Sequence, residues 1–373
     1  MSRYKTPRRV VVKCGSSLVT DAHGSVNYDY IEKLGDTIAQ AMMQGIEVIL
    51  VSSGAISTGF RLLGFEKRPS DMPSLQASSA VGQAALIDAY ARTMKAYNIP
   101  VGQVLLTLND TSSRTAYLHA TNTFQKLLEL HALPVVNEND TVAVNEIKFG
   151  DNDALASITA AMCAADLVVI FSDVDGLYTA DPTLNPDAYL LEEICEITPE
   201  IKSMAGGSRS GLGTGGMASK LKAASLVMQA GIDTVICKGE DPQVLLQILA
   251  GNAVGTRFCG YKEEHHMNAR KLWISLANKM SGRIYIDDGA VHALKDKGSS
   301  LLPVGVTDVI GNFNRGDALV IFDQNDQVIA RGLSRFSSEE ISVAQGMSLS
   351  MIERVYPDLS NQPLIHRDEL VVY

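Results

Sequence analysis

Two stretches of the chain carry the residue types that bind phosphate. One is Lys13-Cys14-Gly15-Ser16, and the other runs from residue 210 to Lys220 with four glycines among its first seven residues. Successive glycines let backbone N–H groups converge on an anion, a following helix adds the positive end of its dipole, and a lysine adds a full charge. We therefore expect Lys13 and Lys220 to contact phosphate groups. A surface loop without a ligand is the alternative for the glycine-rich stretch.

The surroundings of these glycines argue against two better-known phosphate motifs. A P-loop requires Gly-Lys followed by Ser or Thr, and the chain contains no Gly-Lys dipeptide. Gly211, Gly213 and Gly216 fit the G-x-G-x-x-G spacing, but residues 204–209 before them do not read as a strand. In addition, Asp233 lies before the next strand rather than after it. A dinucleotide-binding enzyme is therefore the weaker alternative.

Acidic and amide side chains lie at three further points where a strand is predicted to end or a helix to begin. Asp140 belongs to Asn-Glu-Asn-Asp, Asn152 and Asp153 belong to Gly-Asp-Asn-Asp, and Asp173 follows an apolar run. Helix capping explains only one residue of the second group. We expect the first two groups to hold a substrate ammonium group or to orient the lysines. Asp173 is expected to contact nucleotide or metal.

The lack of a nearby histidine indicates which group accepts the phosphoryl. His23, His119 and His131 fall in turn or helical contexts away from these loops. Phosphorylation of a hydroxyl or an amine normally requires a positioned base, whereas a carboxylate is already ionised at neutral pH. Lysines, backbone amides and Mg²⁺ held mostly by phosphate oxygens and water would then suffice. The pattern favours an ATP-dependent kinase with a carboxylate acceptor.

Hydrophobic periodicity predicts the elements that position these residues. Over the first two-thirds of the chain, short β-branched runs alternate with stretches of helical spacing, which is typical of an α/β fold with an open, mostly parallel sheet sandwiched by helices. Later runs alternate between turns and predict a small β-rich domain. We predict domains at 1–260 and 281–373, joined by a linker at 261–280. The predicted strands are 9–13, 47–51, 102–106, 133–137, 167–172, 234–237, 283–286, 318–322 and 327–331.

Composition limits the class of protein and its location. The chain has 373 residues, of which 46% are hydrophobic and 20% charged, as in a soluble globular enzyme. Its net charge of -10 argues against a general nucleic-acid or anionic-membrane binder. Five widely spread cysteines without a Cys-x-x-Cys pair predict neither a disulfide framework nor a zinc site. The basic N-terminus precedes only a short apolar run, so we expect a cytoplasmic protein.

Together these motifs make the chain similar to the glutamate 5-kinase family, an amino-acid kinase fold joined to a C-terminal PUA domain. The combination is narrower than any single motif, several of which other amino-acid kinases share. The resemblance rests on Val-Lys-x-Gly-Ser at Lys13, Val-Ser-Ser-Gly-Ala-Ile at Ser53, Asn-Glu-Asn-Asp at Asp140, Gly-Asp-Asn-Asp at Asn152, Ser-Asp-x-x-Gly-Leu-Tyr-Thr at Asp173, Gly-Leu-Gly-Thr-Gly-Gly-Met at Thr214 and Gly-Ser-Ser-Leu-Leu-Pro at Gly298.

The resemblance implies an activity and a role for each site residue. The product would be γ-glutamyl phosphate, the first committed intermediate of proline synthesis, with proline as feedback inhibitor. Ser53, Asp140 and Asn152 would bind L-glutamate. Asp153 would organise the catalytic residues Lys13 and Lys220. The residues implied to bind ATP are Lys13, Ser172, Asp173, Thr214, Gly215, Gly216, Met217, Ala218, Ser219 and Lys220.

The chain departs from the family pattern at two positions. Cys14 and Ser172 stand where the family often has an aliphatic residue and Thr. Neither change alters the expected chemistry, but a cysteine beside Lys13 predicts oxidation-sensitive activity. A homo-oligomer and a γ-glutamyl phosphate reductase partner are further expectations from the resemblance.

Several alternatives remain open from the sequence. Within the kinases these are acetylglutamate, aspartate and carbamate kinases, because the substrate loops alone do not separate them. The C-terminal domain raises RNA binding as a further alternative, since PUA domains resemble RNA-recognition modules. Residues 281–373 hold 13 Asp and Glu against 8 Lys and Arg and have no basic run, which favours a structural or regulatory role.

Overall fold

The structure is a computed structural model that describes residues 4–21, 23–107, 110, 114–142, 152–205, 216–261, 274, 280–355 and 362–373. The chain forms two compact units, Met1–His266 and Met267–Tyr373. Each unit has its own sheet and its own hydrophobic core. Among the residues described, no helix combines the length and the apolar character that a membrane span requires.

Eight described strands form one sheet in the N-terminal unit. They are β1 (Arg9–Cys14), β2 (Glu47–Ser52), β3 (Val101–Leu106), β4 (Leu133–Glu138), β5 (Leu167–Ser172), β6 (Glu193–Ile194), β7 (Asp233–Lys238) and β8 (Thr256–Phe258). The strand order is β3-β4-β2-β1-β5-β7-β8-β6. All neighbours pair in parallel except β7 and β8, which are antiparallel. Parallel neighbours require crossover connections, and helices supply most of them.

The helices of this unit lie between the strands along the chain. They are α1 (Ser16–Val19), α2 (Tyr28–Met43), α3 (Ala55–Leu62), α4 (Met72–Lys95), α5 (Arg114–Glu129), α6 (Asn152–Cys163), α7 (Pro199–Ala205), α8 (Met217–Gln229) and α9 (Val244–Leu249). Helices α3 and α4 approach each other backbone to backbone, because a Cβ on Gly59 would lie 1.6 Å from the carbonyl oxygen of Ser78. A Cβ on Gly82 would likewise lie 1.9 Å from the carbonyl oxygen of Ala55. Glycine at these two positions therefore allows α4 to pack closely against α3.

The central strands are buried on both faces. All six residues of β5 are buried, and so are the last five residues of β1 and of β2. Strands covered on both faces need continuous apolar runs rather than an alternating pattern, and Leu-Val-Val-Ile-Phe in β5 is such a run. Polar side chains consequently concentrate where these strands end. Because the paired strands are parallel, their carboxyl ends meet at one edge of the sheet.

The C-terminal unit contains a five-stranded sheet in the order β10-β9-β11-β12-β13, built from β9 (Gly282–Ile286), β10 (Val306–Ile310), β11 (Ala318–Phe322), β12 (Val328–Leu333) and β13 (Leu370–Val372). Only the β9–β11 pair is parallel among these neighbours. Its described helices are α10 (Asp288–Lys295), α11 (Ser338–Ala344) and α12 (Leu349–Val355). Buried aliphatic residues together with Phe313 and Phe336 form the core of this unit.

The predicted fold class is confirmed: the first unit has a mostly parallel sheet with helices, and the second is β-rich. The predicted strands match observed strands to within two residues at each end. Strands β6, β8, β10 and β13 were not predicted, because runs of two to five residues carry little periodicity. The linker at 261–280 lies largely outside the described residues, so its boundaries remain a prediction.

Candidate active site

The carboxyl ends of β1, β2 and β5 meet at one edge of the N-terminal sheet. Cys14 at the end of β1 is opposite Ser52 of β2 and Phe171 of β5. This register places Lys13, the Ser53 turn and Ser172 at the same edge. Strand β4, which ends at Glu138, pairs with β2 on the far side from β1. The edge is where open α/β sheets bind ligands.

A carboxylate bridges two lysines at this edge. Asp153 Oδ1 lies 2.6 Å from Lys13 Nζ, and Asp153 Oδ2 lies 3.6 Å from Lys220 Nζ. All three residues are buried: Asp153 is 0% exposed, Lys13 is 6% exposed and Lys220 is 5% exposed. Removing charges from water is costly unless they are paired, so the bridge is what permits two lysines to be buried together. The structure therefore brings together all three residues predicted to act in catalysis.

Three elements supply this cluster. Lys13 comes from β1, Asp153 from the first turn of α6 and Lys220 from the first turn of α8. Ser219 Oγ lies 3.3 Å from Asp153 Oδ2 and 2.9 Å from the carbonyl oxygen of Gly216. The N-terminus of α8, where unpaired N–H groups favour an anion, thus lies beside the lysine pair.

The glycine-rich stretch is described only in part. Gly216 is the N-cap of α8, and Met217 begins the helix. A Cβ on Gly216 would meet no atom of the described residues within 4 Å. Thr214 and Gly215, with the glycines before them, lie outside the described residues, and their contact with ATP stays a prediction.

Asn152 links the predicted substrate-binding residues to two strands. Its Nδ2 lies 2.8 Å from Ser53 Oγ, 2.8 Å from the carbonyl oxygen of Ser52 and 3.0 Å from Asn137 Oδ1. An amide nitrogen carries two hydrogens, so these three acceptors fully occupy it. Ser53 and Asn152 are therefore in direct contact, as expected of residues that share one ligand.

Asp140 is held from a different direction. Its Oδ2 accepts a hydrogen bond of 2.8 Å from Ser79 Oγ on α4. One turn further along the same helix, Gln83 Oε1 accepts from Asn137 Nδ2 at 2.7 Å. Ser79, Gln83 and Asn137 were absent from the predicted site. Asn137 could have been found as the polar residue before the end of β4, whereas nothing in the sequence around Gln83 distinguishes it from a helix-surface residue.

Ser172 and Asp173 lie at the end of β5, the strand next to β1. Ser172 is buried and donates to Asp173 Oδ1 at 3.0 Å, while Asp173 itself is exposed. This pair is at the same edge as Lys13 but the structure shows no bond between it and the lysine cluster among the described contacts. Exposure leaves the Asp173 carboxylate accessible to a ligand.

The cysteines differ from expectation in two ways. Cys195 and Cys259 form a disulfide, although the sequence predicted reduced cysteines. The two cysteines follow directly after β6 and β8, which pair in parallel. Because the cysteines are 64 residues apart in the sequence, their proximity could not be predicted from local spacing. Cys14 is fully buried, and burial raises the pKa of its thiol to about 12. Because the thiolate is the reactive form, burial opposes the expected sensitivity to oxidation.

Metal-binding side chains do not gather at the lysine cluster in the part of the chain described. Among the described residues, the one group close enough to share an ion is Glu193, Cys195 and Cys259. This group lies at the opposite side of the sheet from the lysine cluster, and its cysteines are bonded to each other. Both oxygens of Asp153 face lysines rather than open space. The donor set therefore fits a nucleotide-borne metal better than a cage of protein ligands.

Comparison with known proteins defines the class first. Residues 8–238 match the sequence model of the amino acid kinase family, and residues 282–356 match that of the PUA domain. A carbamate kinase from Giardia lamblia bound to AMP-PNP shares the fold of the first unit, with a TM-score of 0.50 and 20% identity over 68% of this chain and 99% of that one. The class is thus a kinase of the amino acid kinase fold that carries a PUA domain.

Two relatives narrow the class. A glutamate 5-kinase from Laribacter hongkongensis is 43% identical over 363 residues, which cover 97% of this chain and 97% of the relative. A glutamate 5-kinase from Trichlorobacter lovleyi is 42% identical over 365 residues, covering 98% and 96%. Since this similarity runs through both units, the chain belongs to the amino acid kinase family and, within it, to the glutamate 5-kinases.

Proposed function

We propose that this protein transfers the γ-phosphoryl group of ATP to the side-chain carboxylate of L-glutamate, giving γ-glutamyl phosphate for proline biosynthesis. The observation that carries the proposal is the buried bridge of Lys13, Asp153 and Lys220 in a chain that matches glutamate 5-kinases from end to end. Carboxyl phosphorylation needs no general base, because the acceptor is ionised at neutral pH. A site built from cations and helix N–H groups meets the remaining requirement, which is charge stabilisation.

The two lysines would act on the phosphates. With Asp153 between them, their ammonium groups are held near each other with less mutual repulsion, and both can contact oxygens of the transferred group as negative charge redistributes. Asp153 touches the lysines rather than the substrate, so its role is to position them. Burial strengthens each of these interactions because little water screens them.

The nucleotide would lie against the ends of β1 and β5 and the start of α8. The proposed contacts are Lys13, Ser172, Asp173 and residues 214–220, of which 216–220 are described. Mg²⁺, held mostly by phosphate oxygens and water, would neutralise part of the nucleotide charge. Asp173 is the exposed carboxylate nearest the end of β5 that could contact it through water.

Glutamate would occupy the space bounded by Ser53, Asp140 and Asn152. The carboxylate of Asp140 suits the α-ammonium of the substrate, and the amide nitrogen of Asn152 is already bonded to protein acceptors. Its amide oxygen is then the end of the side chain left to accept from that ammonium. This arrangement favours an amino acid with a free α-amino group.

An assay with hydroxylamine tests the activity. Acyl phosphates react with hydroxylamine to give coloured hydroxamates, so the protein is incubated with ATP, Mg²⁺ and hydroxylamine over glutamate, N-acetylglutamate and aspartate. Hydroxamate from glutamate is expected. Product from one of the other acids but none from glutamate would reject the substrate while keeping the kinase class.

The remaining proposals concern regulation, partners, location and the role of the C-terminal unit. We propose that proline inhibits the enzyme, that the labile product passes to a γ-glutamyl phosphate reductase, and that a cytoplasmic homo-oligomer is the working form. For the acidic C-terminal unit we propose a structural or regulatory role rather than RNA binding. Adding proline to the hydroxamate assay tests the first point, and tight binding of RNA at physiological salt would contradict the last.

A further inference from the structure

Helix α4 lies behind the proposed glutamate site and contributes two polar side chains to it. Ser79 and Gln83 are separated by one helical turn and therefore face the same side of α4. They are only 4% and 6% exposed. Polar side chains are rarely buried in this way unless they are hydrogen-bonded, and here each bonds a residue of the β4 end rather than its own helix.

A continuous chain of hydrogen bonds runs from Gln83 to Asn152. Asn137 Nδ2 donates to Gln83 Oε1 at 2.7 Å, and Asn152 Nδ2 lies 3.0 Å from Asn137 Oδ1. The backbone N–H of Glu138 also donates to Asn137 Oδ1 at 2.9 Å. The oxygen of the Asn137 amide thus faces two donors, the Asn152 amide nitrogen and the Glu138 backbone N–H, and its nitrogen faces the Gln83 oxygen.

This chain acts together with the carbonyl oxygen of Ser52 to determine which way the Asn152 amide faces. If Asn137 were flipped, its nitrogen would face two donors and its oxygen would face the Gln83 oxygen, so three contacts would become repulsive. The fixed Asn137 oxygen in turn draws in the nitrogen of Asn152. The Asn152 oxygen is therefore available to a ligand as an acceptor.

Ser79 orients Asp140, the second residue proposed to accept from the substrate ammonium group. Its hydroxyl donates to Asp140 Oδ2 and so fixes the orientation of this carboxylate. The glycine contacts of α4 with α3, including the one at Gly82 beside Gln83, keep the helix from shifting. A rigid support of this kind is what a pre-organised binding site requires.

We infer that Gln83 and Ser79 are positioning residues for substrate specificity: they orient Asn137, Asn152 and Asp140 so that acceptor oxygens receive the α-ammonium of an amino acid. The inference rests on the proposed function, because it assigns the ammonium of the phosphorylated amino acid to this place. Both residues bond the proposed glutamate side of the site, Ser79 through Asp140 and Gln83 through Asn137. Their effect should therefore fall on the amino-acid substrate alone.

The test compares Gln83→Leu with Gln83→Glu. Leucine removes the acceptor for Asn137 and leaves a buried donor unpaired, so KM for glutamate should rise by about tenfold or more while KM for ATP stays unchanged. Glutamate at position 83 still offers an acceptor and should restore much of the loss. A purely structural role would instead change both KM values or kcat, and the glutamate variant would give no rescue.

Ser79→Ala provides a second probe with a matched control. Removing the hydroxyl should raise KM for glutamate by about threefold, again without effect on ATP. Ser78→Ala is the control, because Ser78 is also fully buried on α4 but donates only to the carbonyl oxygen of Ser74 in its own helix. Ser78→Ala should leave KM for glutamate unchanged.

The outcomes separate this inference from the proposed function. Wild-type protein that makes no γ-glutamyl hydroxamate rejects the function itself. Active wild type with an unchanged KM for glutamate in both Gln83→Leu and Ser79→Ala overturns the positioning role. If Gln83→Leu does not fold, as shown by circular dichroism, Gln83→Glu and Ser79→Ala decide the question, and equal effects of Ser78→Ala and Ser79→Ala would also overturn it.

Discussion

Asp153 Oδ1 lies 2.6 Å from Lys13 Nζ, in a place where neither side chain is more than 8% exposed. The two residues come from the end of the first strand and the start of a helix more than a hundred residues later. Lys220 joins the same carboxylate from a third element. Because the carboxylate is shared, changing either lysine or the aspartate tests a different part of the proposed chemistry.

Replacing Lys220 by alanine should reduce turnover without unfolding the protein. Lys13 still neutralises Asp153 in this variant, whereas the charge that stabilises the transferred phosphoryl is lost, so kcat should fall by about a hundredfold or more. Steady-state kinetics and circular dichroism measure the two effects. Lys222→Ala, an exposed lysine on the same helix, is the control and should behave like wild type. Wild-type turnover in Lys220→Ala would contradict the assigned role.

Replacing Asp153 by asparagine should reduce stability as well as activity. The substitution keeps the shape but removes the negative charge that Asp153 supplies to two buried ammonium groups, which costs about 3 kcal/mol or more of unfolding free energy. Urea denaturation followed by circular dichroism measures this loss. The comparison is Asp88→Asn, which breaks an exposed pair with Arg92 and should cost about 0.5 kcal/mol or less. Equal losses in the two variants would show that the buried bridge has no special role in stability.

Reducing the disulfide should lower thermal stability. Cys195 and Cys259 close a loop with a sequence separation of 64 residues that includes Lys220, and cross-linking restricts the unfolded chain. The entropic contribution for such a loop is about 4 kcal/mol as an upper value. The thermal midpoint should fall on adding a dithiol reductant. The Cys195→Ser, Cys259→Ser double variant should start at the lower midpoint and show no response to reductant, and a response there would assign the effect to other groups.

Glu340 gives the C-terminal unit a pH-dependent contribution to stability. Its carboxylate accepts from Arg315 Nε at 2.9 Å and from the Ser337 backbone N–H at 2.8 Å, completing the capping box of α11. Hydrogen bonding to Arg315 is the main cause that lowers the pKa of Glu340 below its ordinary value of 4.5. A lowered folded-state pKa stabilises the protein above about pH 4.5, and this stabilisation is lost as pH falls through the folded-state value.

Unfolding measurements across pH 3 to about 7 test this contribution. Glu340→Gln should cost about 1 kcal/mol at neutral pH and should lose part of the acid-induced decline. Its exposed neighbour supplies the control, since Glu339→Gln removes the same charge without the bonds of the capping box. Parallel pH profiles for wild type and Glu340→Gln would reject the contribution.

The elements of the fold were largely predictable because their signals are local. The run Leu-Val-Val-Ile-Phe-Ser predicts a buried strand from six adjacent residues, and β5 has the predicted bounds at both ends. Strand β8 was not predicted, because three residues are too few to show a periodic pattern and because the strand runs antiparallel to β7 in a sheet expected to be mostly parallel. The Cys195–Cys259 pair was hidden for a related reason, since its proximity follows from the pairing of β6 with β8.

The sequence by itself predicted the class of chemistry: residue type and local spacing indicated phosphate-binding lysines and glycines and a carboxylate acceptor, and the family resemblance implied the role of Asn152. The resemblance implied that Asp153 organises Lys13 and Lys220, but only the tertiary structure decided that each lysine faces a different oxygen of this carboxylate. It also decided that Gln83, an ordinary residue of a long helix, accepts a hydrogen bond from the amide of Asn137. The physical reason is that local spacing specifies strands and helix ends, whereas a buried hydrogen bond depends on how distant elements pack, which no local pattern records.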